Sequence, residues 1–185
     1  MSQLLKLLGN TPFFEIPHVR SSSVKVYAKL EWYNPSGSVK DRAAARMMTE
    51  AQKAGLLDGK ILIDATSGNT GIAYATYGAA LGVSVELALP ENASKERKLI
   101  LENFGVKLHL TSAMEGTDGA QRYVKNLVEE NPDQYYYPDQ YNNDNNWKAH
   151  YEGTGPEIWK QSNESVTHFV AGLGTTGTFV GTSRF

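Results

Sequence analysis

The chain has 185 residues, of which 41% are hydrophobic and 21% are charged, as in an ordinary globular protein. Its 18 Lys and Arg residues against 20 Asp and Glu residues give a net charge of -2, which excludes the basic surface typical of nucleic-acid-binding proteins. The lack of cysteine excludes disulfides and thiolate metal sites and fits a reducing, cytoplasmic location. No apolar run is long enough to predict a membrane span. The histidines lack metal-ligand spacing, so no metal site is predicted; they are His18, His109, His150 and His168.

The first 140 residues alternate between strand-like and helix-like segments. Short apolar runs of strand length are separated by helical segments of about 10–15 residues, and this alternation predicts βαβ units and a parallel sheet. The predicted strands are Lys25–Glu31, Lys60–Ala65, Val83–Pro90, Val106–Thr111 and Gln134–Pro138, and the predicted helices run from Asp41 to Gly55, Asn69 to Gly82, Ser94 to Gly105 and Thr117 to Glu130.

The character of the chain changes after Gln140. The segment Tyr141–Gln161 is polar and rich in asparagine, and we predict that Gly153, Gly155 and Pro156 break it into two short helices. We therefore place a domain crossing at this point.

The first informative loop is NPSGSVKDRAA (Asn34–Ala44). It places Lys40 where a run of turn-forming residues passes into a run of helix formers. Two interpretations are open for this lysine. It is either a solvated side chain beside Asp41 or a Schiff-base nucleophile held in a pocket.

The second loop, TSGNTGIA, lies between a predicted strand and a predicted helix. Its glycines let the backbone approach a ligand closely, and backbone N–H groups converge at the helix N-terminus, which suits a carboxylate or a phosphate. Side chains that can add hydrogen bonds are Thr66, Ser67, Asn69 and Thr70. The alternative is a well-capped helix without a ligand, because Ser, Thr and Asn are the favoured N-cap residues.

The third loop, AGLGTTGTFVG, follows the segment Thr167–Gly172, which we predict to be a buried strand, and leads into a helix. Gly172, Gly174 and Gly177 have the G-x-G-x-x-G spacing of dinucleotide sites, which keeps an NAD-dependent oxidoreductase open as an alternative. The same loop can also hold a single phosphate.

Together, in this order and spacing, the three loops resemble the fold-type II enzymes that use pyridoxal 5′-phosphate, and within them the cysteine synthases. The resemblance runs from LLGNTPFFEI near the start to GTSRF at the end. Three stretches resemble the B-type branch: GTTGT, with Thr176 where many O-acetylserine sulfhydrylases carry glycine, DQYNNDNN (Asp139–Asn146) and HYEGTGPEIW (His150–Trp159).

The resemblance implies an α/β fold with open, parallel-rich twisted sheets, helices on both faces and two domains. Residues 34–140 would form a small domain with the lysine and carboxylate loops. Residues 1–33 and 141–185 would form part of a larger, cofactor-binding domain, which is incomplete. Because the sequence stops at Phe185, inside a predicted helix, we expect a C-terminal truncation and an inactive fragment.

The resemblance also implies a role for each matching residue. Lys40 would carry the cofactor as a Schiff base and act as the catalytic base, and Asn69 would hydrogen-bond the ring hydroxyl of the cofactor. The phosphate would be bound by Gly174, Thr175, Thr176, Gly177 and Thr178. The α-carboxylate of the substrate would be bound by Thr66, Ser67, Thr70 and Gln140.

The function implied is the synthesis of L-cysteine by β-replacement, in which O-acetylserine or O-phosphoserine reacts with sulfide or thiosulfate. A homodimer is expected for the complete enzyme, with no membrane or nucleic-acid partner. The alternatives within the family are a cystathionine β-synthase and a serine or threonine dehydratase.

Overall fold

The computed structural model of the chain describes residues 2–17, 24–66 and 68–185. The strands are β1 (Phe13–Glu15), β2 (Tyr27–Lys29), β3 (Ile61–Ala65), β4 (Val85–Pro90), β5 (Lys107–Thr111) and β6 (Tyr135–Tyr136). The α-helices are α1 (Lys40–Lys53), α2 (Asn69–Leu81), α3 (Lys95–Asn103), α4 (Gly116–Glu130), α5 (Asp144–Ala149), α6 (Gly155–Gln161) and α7 (Gly177–Arg184). Within these described ranges, no helix has the length and apolar character needed to cross a membrane.

Strands β3 to β6 form a parallel sheet in the order β5-β4-β3-β6. Helix α2, backed by α1, packs on one face, and α4 packs on the other. A parallel sheet covered on both faces has apolar central strands, and β3 follows this rule except at Asp64, which lies opposite Leu87 of β4. The predicted α/β fold, with its parallel sheet between helices, is confirmed. The first predicted strand, Lys25–Glu31, is not part of that sheet, because β2 pairs antiparallel with β1 in a separate, two-stranded N-terminal sheet.

Small residues bring α2 close to the sheet. A Cβ atom at Gly78 would lie 2.6 Å from Val85 Cγ2, and one at Gly71 would lie 2.9 Å from Leu87 Cδ1. The helix ends at Gly82, whose φ of 70° gives the left-handed conformation that glycine adopts without steric cost. Close helix–sheet packing therefore fixes the start of α2 next to the end of β3.

A buried charge network joins the N-terminal sheet to the helices. Arg42 of α1 donates to both carboxylate oxygens of Glu31, at 2.7 and 2.9 Å, and to both of Glu157, at 2.8 Å each. Lys29 of β2 forms a second ion pair with Glu157 at 2.7 Å and donates to the carbonyl oxygen of Thr11. Burial opposes the charged forms, but these bonds outweigh it, lowering the pKa of Glu157 to about 2 and raising the pKa of Arg42.

The prediction of a buried strand at Thr167–Gly172 is wrong. This segment pairs with no strand in the part of the chain that the structure describes, and Val170 is 91% exposed. Its apolar sequence indicated burial, but a strand also needs a neighbour to accept and donate its backbone hydrogen bonds.

The predicted break between two helices near Pro156 is also wrong. Helix α5 continues through a π-helical turn, His150–Thr154, directly into α6. Pro156 lies at the start of α6, directly after the π-helical turn, and does not interrupt the helical backbone. Gly153 and Gly155 are accommodated within the continuous helical backbone.

Helix α7 docks on this helical segment through a glycine. A Cβ atom at Gly181 would lie 2.2 Å from the carbonyl oxygen of Trp147 and 2.7 Å from His150 Cβ. The Trp147 atom belongs to the backbone and cannot move aside as a flexible side chain would. Glycine is therefore required for this docking.

We expect Gly181→Ala to lower the free energy of unfolding by about 3 kcal/mol, because the added methyl group forces α7 off its neighbours. The matched control is Gly172→Ala, whose Cβ would meet nothing within 4 Å. It should change stability by less than about 0.5 kcal/mol. Urea denaturation measures both, and equal effects of the two substitutions would contradict the docking described here.

Candidate active site

The three loops meet at one cleft, at the carboxyl end of β3. The cleft has a volume of about 400 Å³ and is lined by Lys40, Ala65, Thr66, Gly68, Asn69, Thr70, Arg97, Thr117, Gln140, Tyr141, Gly174 and Thr175. Ligands of open α/β sheets bind at this end of the strands. Another cleft, of about 430 Å³, lies at the far end of α2, and its described lining includes none of the predicted site residues.

Most of the predicted site residues therefore lie together. Thr176, Gly177 and Thr178 do not line the cleft, but they directly follow Thr175 and form the N-terminal end of α7. Ser67, which we predicted to bind the substrate carboxylate, lies outside the described residues.

Asp41 holds the lysine loop in place. Its buried carboxylate accepts hydrogen bonds from the Ser36 N–H at 2.7 Å, the Ser36 hydroxyl at 2.5 Å, the Ser38 N–H at 3.2 Å and the Tyr77 hydroxyl at 3.0 Å. Lys40 begins α1, lines the cleft and is half-buried. Burial lowers the pKa of the Lys40 amine, which increases its neutral, nucleophilic fraction.

The second loop links the start of α2 to Gln140. The Thr66 hydroxyl accepts from the Gly68 N–H at 3.2 Å, and the Thr70 hydroxyl donates to Gln140 Oε1 at 3.2 Å. Gln140 Nε2 in turn donates to Asp64 Oδ2 at 3.2 Å. The first N–H groups of a helix lack partners within that helix, so this end of α2 is suited to an anion.

The glycine loop is held by Asn146. Its Nδ2 donates to the carbonyl oxygen of Gln140 at 2.7 Å and to Thr175 Oγ1 at 2.8 Å, and its Oδ1 would lie 2.0 Å from a Cβ atom at Gly177. Thr176 has a φ of 65°, a left-handed conformation that costs a residue with a Cβ atom about 1–2 kcal/mol. Glycine at this position would have no such cost.

His150 lies beneath this loop and is 2% exposed. Its Nδ1 is 2.9 Å from Thr154 Oγ1, and its Nε2 is 3.3 Å from Thr178 Oγ1. Burial, helped by the positive charges of Arg42 and Lys40, lowers the pKa of His150 to about 4. A neutral imidazole therefore supports the Thr178 hydroxyl at neutral pH.

Comparison with known proteins decides the family. The profile described as "Pyridoxal-phosphate dependent enzyme" matches residues 4–185. The chain belongs to this family. The family assigns pyridoxal phosphate as the cofactor, and the G-x-G-x-x-G spacing is therefore part of a pyridoxal-phosphate enzyme and not of an NAD-dependent oxidoreductase.

Several relatives in the pyridoxal-phosphate family are named cysteine synthases. The chain is 56% identical to a cysteine synthase of Aquifex aeolicus over 98% of its own length, and 44% identical to cysteine synthase B of Escherichia coli over 100%. It spans only 57% and 61% of those relatives. A solved cysteine synthase of Entamoeba histolytica superposes with a TM-score of 0.92 at 37% identity, covering 98% of this chain and 55% of that one. A solved hydrogen sulfide-producing enzyme of Fusobacterium nucleatum also superposes, with a TM-score of 0.91 at 38% identity, covering 100% of this chain and 62% of that one.

The donor groups in the cleft fit pyridoxal phosphate. A partly buried lysine amine is the group that an aldehyde requires. The N-terminal end of α7 and the neighbouring threonine hydroxyls are the groups that a phosphate requires. At Gly174, which lines the cleft, a Cβ atom would meet nothing within 4 Å, so space for a ligand exists beside the loop.

Several site residues were not found from the sequence. Arg97, Thr117 and Tyr141 line the cleft. Asp64 hydrogen-bonds Gln140, which lines the cleft, and His150 lies within hydrogen-bond distance of Thr178 in the glycine loop. Arg97 lies on α3, and no sequence motif identified it as a site residue. Asp64 did carry a signal, because an acidic residue within an apolar, buried strand needs hydrogen-bond donors around it.

The pKa of His150 predicts a pH dependence of stability. The unfolded chain binds a proton on His150 near pH 6.5, whereas the folded chain does not until pH falls to about 4, so stability is lost as pH falls through this interval. The contribution of His150 to this change should approach about 3 kcal/mol, at about 1.4 kcal/mol per pKa unit.

Urea denaturation between pH 7 and pH 4 measures this loss. We expect His150→Asn to be less stable than the wild type at pH 7 and to lose less stability on acidification. His168→Asn, which removes an exposed histidine, is the control and should keep the wild-type slope. An unchanged slope in His150→Asn would contradict the assignment.

Proposed function

We propose that the protein is a cysteine synthase that replaces the β-substituent of O-acetylserine or O-phosphoserine with a sulfur nucleophile. The observation that carries this proposal is that one cleft is lined by Lys40, Thr66, Gly68, Asn69, Thr70, Gln140, Gly174 and Thr175. The names and the identity of the relatives support the same reaction.

Lys40 is the proposed catalytic residue. Bound pyridoxal phosphate supplies the electron sink that stabilises negative charge at the substrate Cα. Burial lowers the pKa of the Lys40 amine and so increases its neutral fraction, and the neutral amine can accept the proton from Cα. It can return this proton at the end of the reaction.

The other two loops are proposed to orient the ligands. Thr66, Ser67, Thr70 and Gln140 would bind the α-carboxylate, and Asn69 would hydrogen-bond the cofactor ring. The loop of Gly174, Thr175, Thr176, Gly177 and Thr178 would bind the phosphate. Asn146 supports this arrangement because its side-chain amide bonds both Gln140 and Thr175, so that the two anion-binding regions share one brace.

Three further proposals concern the domains, the oligomeric state and the location of the protein. Residues 34–140 form the smaller domain, and residues 1–33 and 141–185 belong to the larger one. The active enzyme is a homodimer. A cytoplasmic location is proposed from the cysteine-free sequence, which suits a reducing compartment.

The assignment of Lys40 is tested by borohydride reduction followed by peptide mapping. We expect reduction to attach the cofactor covalently to Lys40 and Lys40→Ala to abolish cysteine synthesis, because both the amine and its proton transfer are lost. Lys53→Ala, which removes an exposed lysine at the other end of α1, is the control and should remain active. Label on another lysine would refute the assignment.

Arg97 favours anionic co-substrates. It lines the cleft from α3, and its guanidinium forms no hydrogen bond or ion pair within the described parts of the chain. A positive charge there would attract thiosulfate or the phosphate of O-phosphoserine. The resemblance of GTTGT to the B-type branch supports thiosulfate as the donor.

We expect Arg97→Gln to lower kcat/KM for thiosulfate about tenfold and kcat/KM for sulfide by less, because one charge-assisted contact is removed. Lys95→Gln makes the same change in charge on the same helix but outside the lining of the cleft, so it should affect neither value. The readout is S-sulfocysteine and cysteine formation. Equal losses for both donors would contradict a role in selecting the anion.

A second candidate function is the production of sulfide instead of cysteine. The similar hydrogen sulfide-producing enzyme of Fusobacterium nucleatum points to sulfide release as the alternative. As this second candidate function, we propose the release of sulfide from a sulfur-containing amino acid such as L-cysteine. Incubating the protein with L-cysteine alone and measuring sulfide distinguishes the two functions, because a dedicated synthase should release little sulfide.

A further inference from the structure

Two hydrogen-bond donors meet at Asp64. The Ala65 N–H donates to Oδ1 at 2.7 Å, and the Gln140 Nε2 donates to Oδ2 at 3.2 Å. Each carboxylate oxygen thus accepts one bond, and Asp64 is only 1% exposed. A carboxylate satisfies both donors, whereas an asparagine side chain has only one accepting oxygen and cannot.

The same contacts fix which way the Gln140 amide faces. Its oxygen accepts the Thr70 hydroxyl at 3.2 Å, and one N–H is used by Asp64. No second partner for Nε2 is found within the described chain, and Gln140 lines the cleft. The remaining N–H is therefore available to a ligand.

We propose that Asp64 is a positioning residue that keeps the Gln140 amide turned so that its remaining N–H faces the binding position of the substrate carboxylate. This rests on the proposed function, in which Gln140 binds that carboxylate. Asp64 acts only through Gln140 and does not line the cleft itself. Losing its charge would let the amide rotate, and an accepting oxygen would then face the carboxylate of the substrate.

The surroundings of Asp64 place its protonation in an accessible pH range. Burial raises the pKa of Asp64 to about 6, against the effect of its hydrogen bonds. The groups that face it are Tyr74 of α2 and, after β6, Asp139 and Tyr137. The negative charge of Asp139 raises the pKa of Asp64 further, and the Tyr74 hydroxyl lowers it without reaching the geometry of a regular hydrogen bond.

Nuclear magnetic resonance of the wild-type protein tests the coupling without any activity measurement. With ¹³C-labelled aspartate and ¹⁵N-labelled glutamine, the Asp64 carboxyl and the Gln140 side-chain NH₂ should titrate together near pH 6. Resonances are assigned with Asp64→Asn and Gln140→Glu. If the carboxyl titrates and the NH₂ resonances do not follow, the proposal is overturned.

Ligand binding tests the consequence for the substrate. The probe is L-alanine, which has the α-carboxylate and no leaving group, and its dissociation constant is read from the absorbance of the cofactor-loaded protein. At pH 8, Asp64→Asn should bind L-alanine about tenfold more weakly than the wild type, because one correctly turned hydrogen-bond donor is lost. At pH 5, below the pKa of about 6 of Asp64, the ratio of the two constants should approach one. Protonation of L-alanine itself affects both dissociation constants equally, so it cancels in their ratio.

Asp139→Asn is the matched variant. Asp139 has a φ of 46°, which asparagine tolerates, and the substitution removes the neighbouring charge while keeping Asp64 and Gln140. Its dissociation constant at pH 8 should equal that of the wild type, and the pH at which binding weakens should fall. Equal binding by Asp64→Asn and the wild type at pH 8, or an unmoved midpoint in Asp139→Asn, would overturn the proposal.

The outcomes separate this inference from the proposed function. Coupled titration and weaker L-alanine binding without any cysteine synthesis would support Asp64 as a positioning residue and reject the synthase. Cysteine synthesis with no effect of Asp64→Asn on L-alanine binding would support the synthase and reject Asp64 as a positioning residue.

Discussion

The buried guanidinium of Arg42 is the contact on which the arrangement of the molecule depends. It bonds both oxygens of two carboxylates, one just after the N-terminal strands and one on α6. Such a charge is costly to bury alone, and a network that satisfies it fully is costly to break. Any movement of α6 or of the N-terminal sheet relative to α1 must therefore break charge-assisted bonds.

This constraint extends to Lys40, which lies two residues before Arg42 in the sequence. Lys40 and Arg42 share the first turn of α1, and Asp41 between them binds the preceding loop and Tyr77. The backbone on both sides of Lys40 is therefore tied down, while its own amine faces the cleft. A rigid support with one free functional group is the arrangement that accurate positioning of a nucleophile requires.

Local patterns revealed much of this from the sequence. The alternation of strands and helices, the helix that starts at Asn69 and the residues of the lysine loop all depend on neighbours along the chain, so periodicity and turn chemistry predicted them. The roles assigned to the site residues stay predictions, although most of these residues do share one cleft.

Long-range contacts could not be predicted in this way. Arg42 and Glu157 are 115 positions apart, and Asn146 and Thr175 are 29 apart, and no local pattern pairs such residues. The wrong strand at Thr167–Gly172 has the same origin. Apolar character is a property of a segment, but pairing depends on a neighbour elsewhere in the fold.

The π-helical turn at His150–Thr154 makes the length of its segment as important as its composition. A π-helical turn contains one residue more than a regular α-helical turn of the same segment would. Successive residues of an α-helix point in directions that differ by about 100° around the helix axis. Deleting a single residue here would leave a good helix but turn Glu157 away from Arg42. A change in the length of this segment should therefore disturb the fold more than a substitution of one of its exposed side chains.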